Sequence, residues 1–163
     1  MLFRDSTTRR DVATWAAVTA APPDIQMPAL RGLWSYWNGK RVDGRLPGRD
    51  AINPFELRPW LGRLLLMDVV DSGRDFRYRL HGTGLVQLFG VDLTARLVSG
   101  LAVPDVDRLL NEARAAVASR DYVHIEATVV AEKQFVAISK LILPLATRGD
   151  DVDILMVGIY RRR

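Results

Sequence analysis

The chain contains no cysteine. That excludes disulfides, a thiol nucleophile and any thiolate metal site, and it agrees with a reducing compartment. Lysine is nearly as scarce, standing only at Lys40, Lys133 and Lys140, so 20 of the 23 basic residues are arginine. Histidine occurs twice, at His81 and His124, whereas a zinc site takes three or four ligands with short spacings between some of them. Long apolar runs are missing as well. No stretch approaches the roughly 20 residues that a membrane-spanning helix needs. The opening MLFRDSTTRRDVATW is polar within four residues and lacks the continuous apolar region of a signal peptide. The expectation is a soluble cytoplasmic protein with no membrane association.

What is present suits one globular domain. The length is 163 residues, with 48% apolar and 26% charged, enough to bury a substantial core. The net charge of +4 and a pI near 9.8 raise nucleic-acid binding as a reading, since arginine favours phosphate and carboxylate partners. The arginines are scattered, however (Arg31, Arg58, Arg74, Arg96, Arg120). The only runs are Arg9-Arg10 and Arg161 to Arg163, and no aromatic-interleaved basic strand occurs. An arginine-rich codon preference is the simpler explanation, so nucleic acid is not the expected partner.

Residues 1–60 read as a helical and irregular extension, and 61–163 as the core of a single structural domain. Thr8 and Asp11 mark a helix start with a stripe through Val12, Trp15, Ala16 and Thr19, ended by Pro22-Pro23. Pro28 opens a second helix with Leu30, Leu33, Trp34 and Trp37 as its buried stripe, closed by Gly39. Asn53-Pro54-Phe55-Glu56 predicts one more short helix, with Asn53 as cap and Glu56 reaching back to it. Strands are expected at 63–70 and 75–81, joined by the turn Asp71-Ser72-Gly73-Arg74. Short helices follow at 84–89 and from Pro104. Three more strands are expected at 122–130, 135–145 and 152–160, with turns at Glu132-Lys133 and Arg148-Gly149-Asp150.

The apolar patterns order these strands. Strands open to water on one face alternate, and strands covered on both faces do not. Residues 75–81 alternate, with Phe76, Tyr78 and Leu80 on one side and Arg77, Arg79 and His81 on the other, and 122–130 alternate likewise. Residues 63–70 and 152–160 are apolar on both faces. Hairpin connections make sequence neighbours pair. The alternating strands then sit at the edges, the first and last meet in the centre, and the order is 2-1-5-4-3. One face takes the helices between strands 2 and 3. The other needs a cover, for which the N-terminal helices with Trp15, Trp34 and Trp37, or a second subunit, are the candidates.

This α+β arrangement, a five-stranded antiparallel sheet with helices on one face and N-terminal helices flanking it, resembles the PAS fold. The blocks LRGLWSYWNGKR, LPGRDAINPFEL, LLLMDVVDSGRDFRYRLHGTGLVQLFGVDLTAR and LILPLATRGDDVDILMVGIY, in that order over about residues 29–160, resemble the PAS_5 family, small proteins common in alphaproteobacteria. The resemblance implies a signalling or regulatory role. It carries over no catalytic residue and no cofactor. Without cysteine, the covalent flavin adduct of light-sensing relatives cannot form.

Other chemistry is thin. His81-Gly82-Thr83-Gly84 holds a G-x-G between strand and helix, but the third glycine of a dinucleotide fingerprint is missing at Gln87, and a structural turn is expected. His81 and His124 read as solvated residues on the polar faces of edge strands. There is no G-x-S-x-G. Asp105, Asp107 and Glu112 read as the first turn and polar face of a helix, and Asp150, Asp151 and Asp153 as a hairpin tip. What remains is the PAS cavity, with Phe76, Tyr78, Leu80, Leu85, Val86, Phe89, Val123 and Ile125 as candidate walls for a small apolar ligand. Close packing argues instead for a core filled by side chains. The expected function is a non-enzymatic sensory module acting through a protein partner, with homodimerisation through the N-terminal helices. A basic nucleic-acid binder, or a small enzyme using Tyr78 in the cavity, are the rivals.

Overall fold

The computed structural model describes residues 21–163. Helix α1 (Pro28–Gly39) starts with its proline in the first turn and buries Leu30, Leu33, Trp34, Tyr36 and Trp37, the expected stripe with one aromatic added. The expected helix around Val12, Trp15 and Thr19 lies outside the described residues. The chain then crosses α1 as an irregular strap. The Trp60 indole N–H donates to the Ala29 carbonyl at 2.8 Å, and the Asn53 N–H donates to the Tyr36 hydroxyl at 3.0 Å. The short helix expected at Asn53 is only a series of turns. Asn53 accepts from the Phe55 N–H, but the Glu56 carboxylate goes to Lys40 at 2.9 Å instead of back to the cap. A segment this short before Pro59 cannot offset the cost of helix nucleation.

Five strands follow: β1 (Leu64–Val70), β2 (Asp75–His81), β3 (Val123–Ala131), β4 (Gln134–Leu145) and β5 (Ile154–Arg161). They form one sheet in the order β2-β1-β5-β4-β3, every neighbouring pair antiparallel. The two strands with two-sided apolar patterns meet in the centre, with Leu66 opposite Met156 and Leu64 opposite Gly158. Glu132 and Lys133 both take positive φ, the backbone a two-residue hairpin turn demands. Between β2 and β3 lie α2 (Thr83–Phe89) and α3 (Val106–Ser119).

Each face of the sheet has its own cover. Helix α1 lies against one face, where Gly158 leaves room for Leu30 and Leu33 and the Trp37 indole donates to the Pro144 carbonyl at 2.9 Å. Helix α3 and the segment before it lie over the other. The outer edge of β2 is partly sealed by residues 95–97. Ala95 donates to the Tyr78 carbonyl at 2.7 Å, and the Tyr78 N–H donates to Arg96 at 3.0 Å. That cover protects an edge that would otherwise pair with other chains. No helix among the described residues is long and apolar enough to cross a membrane.

Candidate ligand cavity

The space between sheet and α3 is not filled. Close packing predicts side chains there, yet a cavity of about 530 Å³ remains. Its floor is the inward face of the sheet: Leu65 and Met67 of β1, Tyr78 and His81 of β2, Ala127 and Val129 of β3, Ile138, Lys140 and Ile142 of β4, Val157 and Ile159 of β5. Leu109, Glu112 and Ala113 of α3 roof it, together with Val98, Leu101 and Pro104. Phe89, Leu93 and Arg96 close one end, and the exposed Val91, Val103 and Val130 stand at the rim.

A slip in β2 gives the cavity its polar character. Leu66 pairs with Leu80, but the next residue, Met67, pairs with Tyr78, so Arg79 is an extra residue bulged from the ladder. Side chains alternate with a period of two, so one added residue exchanges the faces of all that follow. Leu80, expected in the cavity wall, is turned out and is 40% exposed, while His81, expected in solvent, is 8% exposed and lines the cavity. The Leu93 N–H donates to its Nδ1 at 3.1 Å, and Asp92 Oδ1 lies 3.8 Å away. Burial pushes the His81 pKa below its usual 6.5, with Asp92 opposing the shift. Burial likewise pushes the Tyr78 phenol up to about 12. Both side chains are therefore neutral near pH 7.

Two charged residues also enter the wall. Lys140, flanked by Ile138 and Ile142 on the same face of β4, bonds to the Glu112 carboxylate from α3. Glu112, expected on a solvated helix face, is thus held in the roof with its side chain mostly buried, and Arg108 Nε lies 3.9 Å from its other oxygen. Arg108 also bonds Asp105 at 3.0 Å. A lysine in an otherwise apolar strand was the one sequence signal for this pair. No serine, threonine or cysteine lines the cavity.

Of the eight candidate wall residues, Tyr78 and Phe89 line the cavity. Phe76 and Leu85 are fully buried outside its lining, and Val86 is half-buried. Val123 and Ile125 lie at the far end of β3, whose Ala127 and Val129 form the wall instead. The cavity sits nearer the β3–β4 hairpin than the sequence pattern placed it.

The other candidates resolve differently. His124 is not solvated: its Nε2 lies 2.9 Å from the Ser139 hydroxyl on the α1 face, with Asp24 at 3.7 Å from Nδ1. The G-x-G is a packing device. A Cβ at Gly82 would stand 2.7 Å from the carbonyl oxygens of Leu61 and Gly62, and one at Gly84 would stand 2.8 Å from that of Gly62. Carbonyl oxygens occupy the space a phosphate would need, and they repel anions. Asp153 caps its own turn through the Thr147 N–H and hydroxyl. Among the described residues no three His, Asp or Glu side chains gather as metal ligands. Four arginines (Arg49, Arg77, Arg79, Arg148) surround a second, smaller cleft of about 350 Å³, but Asp68 and Asp153 share it and Asp68 binds Arg79 at 2.9 Å.

Residues 25–161 match the PAS_5 family of PAS domains. The chain belongs to this family. Solved structures of similar fold include a light-oxygen-voltage domain studied with a flavin analogue, at 12% identity over 67% of this chain and 83% of that one, with a TM-score of 0.53. The PAS domain of BvgS from Bordetella pertussis is 13% identical over 67% and 85%, with a TM-score of 0.52. VqmA bound to DPO is 10% identical over 66% and 56%, with a TM-score of 0.53. At these identities the likeness concerns the fold alone. No curated protein matches the chain.

Proposed function

We propose that this PAS_5 protein is a sensory module that takes up a small, mostly apolar molecule in the cavity and reports it to a protein partner without transforming it. The cavity itself carries the reading. Its volume of about 530 Å³ and its apolar walls with a few polar side chains match the make-up of small-molecule sites, whereas well-packed cores leave few voids larger than a water. The absence of a serine, threonine or cysteine from the lining supports binding over turnover. So does the engagement of the His81 Nδ1 and the Lys140 ammonium by neighbours within the protein. VqmA, of the same fold, was solved bound to DPO.

Native mass spectrometry of freshly purified full-length protein tests the reading. A non-covalent adduct is expected, or uptake of added naphthalene, lost in Ala127→Phe, which places a ring in the cavity from β3. Bare protein that takes up no naphthalene would reject it. The partner reading includes a second copy of this chain, paired through the stripe around Trp15, since closed two-fold dimers are the commonest oligomers. Light scattering at micromolar concentration should return about twice the 18.3 kDa chain mass, falling to the monomer on deletion of residues 1–22. A monomer in both proteins would refute it.

A further inference from the structure

Two uncharged hydrogen-bond donors in the cavity have no acceptor among the described residues, and in the same lining the Arg108 Nε has no hydrogen-bond acceptor either. Tyr78 is 6% exposed and His81 8% exposed, and both line the cavity with their rings 6.1 Å apart. The His81 Nδ1 already accepts from the Leu93 N–H. A neutral imidazole that accepts at one nitrogen carries its proton on the other, so Nε2–H is a donor. The protein supplies no acceptor for it, and none for the Tyr78 hydroxyl, among the described residues. Buried tyrosine hydroxyls normally find a partner, and a buried unsatisfied donor is costly. Of the charges around the same space, Lys140 is matched by Glu112 and Arg108 by Asp105, while Arg96 at the end of the cavity is exposed to solvent.

From this arrangement, and resting on the reading of the cavity as a ligand site, we infer that the ligand is an uncharged molecule whose apolar body carries a carbonyl-type oxygen that accepts from the Tyr78 hydroxyl and the His81 Nε2–H. A hydrocarbon would leave both donors unsatisfied. A carboxylate accepting from Tyr78 and His81 would bring a further negative charge into an apolar site that already holds Glu112, with only the solvent-exposed Arg96 to answer it, and burying such a charge is strongly unfavourable.

The test is calorimetric titration of the full chain with three probes of one shape: naphthalene, 2-acetylnaphthalene and 2-naphthoate. The ketone should bind tightest, about three- to tenfold over naphthalene for each hydrogen bond made. Tyr78→Phe removes only a hydroxyl and should cut ketone affinity by about that factor while leaving naphthalene affinity unchanged or raised, since the hydrocarbon then strands one donor fewer. If that variant fails to fold, the order of the three probes on the unaltered protein still decides. Equal binding of ketone and naphthalene, or tighter binding of the naphthoate, overturns the inference and leaves the cavity reading standing. Binding of none of the three overturns both.

Discussion

Leu33 occupies the space where Gly158 would carry a side chain: a Cβ at that glycine would stand 2.7 Å from Leu33 Cδ2 and 3.0 Å from Leu30 Cδ2. Both leucines are fully buried and cannot swing into water. Replacing glycine by alanine stabilises a compatible site by about 0.4–1 kcal/mol, but overpacking costs about 1–3 kcal/mol, so the second effect wins. Gly158→Ala should lower the urea midpoint, Gly158→Val should lower it further, and Leu33→Val should rescue part of the loss. An unchanged midpoint in Gly158→Val would mean that α1 does not press on β5.

Trp37 joins α1 to the far end of β4 by both burial and a hydrogen bond. Trp37→Ala should cost about 3–5 kcal/mol. Trp37→Phe keeps most of the packing but leaves the Pro144 carbonyl without its indole donor, for about 1–3 kcal/mol. Chemical denaturation of the two variants separates the contributions: a Trp37→Phe protein as stable as the native one would show that the hydrogen bond carries no weight, and equal losses would show that the packing carries none.

The Lys140–Glu112 pair should behave as a unit. Removing one member strands the other's charge inside the cavity wall, at about 3–5 kcal/mol, whereas replacing both by apolar groups of similar volume is often neutral or better. Lys140→Met and Glu112→Leu should each destabilise more than the double variant does. Additive losses in the double-mutant cycle would refute the coupling.

Stability should also fall with pH because of His81. Burial holds its folded-state pKa below the usual 6.5, against the partial opposition of Asp92. As pH drops through 6.5, the unfolded chain therefore takes up the proton first, and the native state loses stability until pH reaches the folded value. Asp75, held below 3.8 by its Ser99 and Phe76 hydrogen bonds against its burial, contributes in the same direction but only in a more acidic window. Unfolding free energies measured from pH 8 to 5 should show the decline in the native protein and a flatter profile in His81→Phe. Parallel profiles would remove His81 as the cause.

Most of the architecture was legible because it follows from periodicity. The two-sided apolar runs at 63–70 and 152–160 have no stable place but the sheet centre, and Pro28 with Gly39 bracketed α1. The cavity was less legible, for physical reasons. Phe76-Arg77-Tyr78-Arg79-Leu80-His81 alternates without interruption, so nothing in the letters marks the slip that sends Leu80 out and His81 in. Glu112 and Lys140 meet across 28 residues of chain, and a carboxylate on a helix is solvated by default until the tertiary partner is known. The position of the void along β3, at Ala127 and Val129 instead of Val123 and Ile125, depends on where α3 and residues 98–105 settle.

Strand register, more than composition, decides which member of the Leu80–His81 pair the cavity meets. Arg79 is the supernumerary residue of β2. Deleting it would leave Tyr78 and His81 on the cavity face and Leu80 on the other, because the shortened strand alternates without a bulge, whereas drawing Arg79 into the ladder would hand the cavity Leu80 and send the imidazole to the opposite face. A homologue of the same length whose β2 pairs without the bulge would share nearly every letter with this protein and present a leucine in place of the imidazole. A change of strand register beside Tyr78 therefore alters ligand chemistry in a way that a count of substitutions would miss.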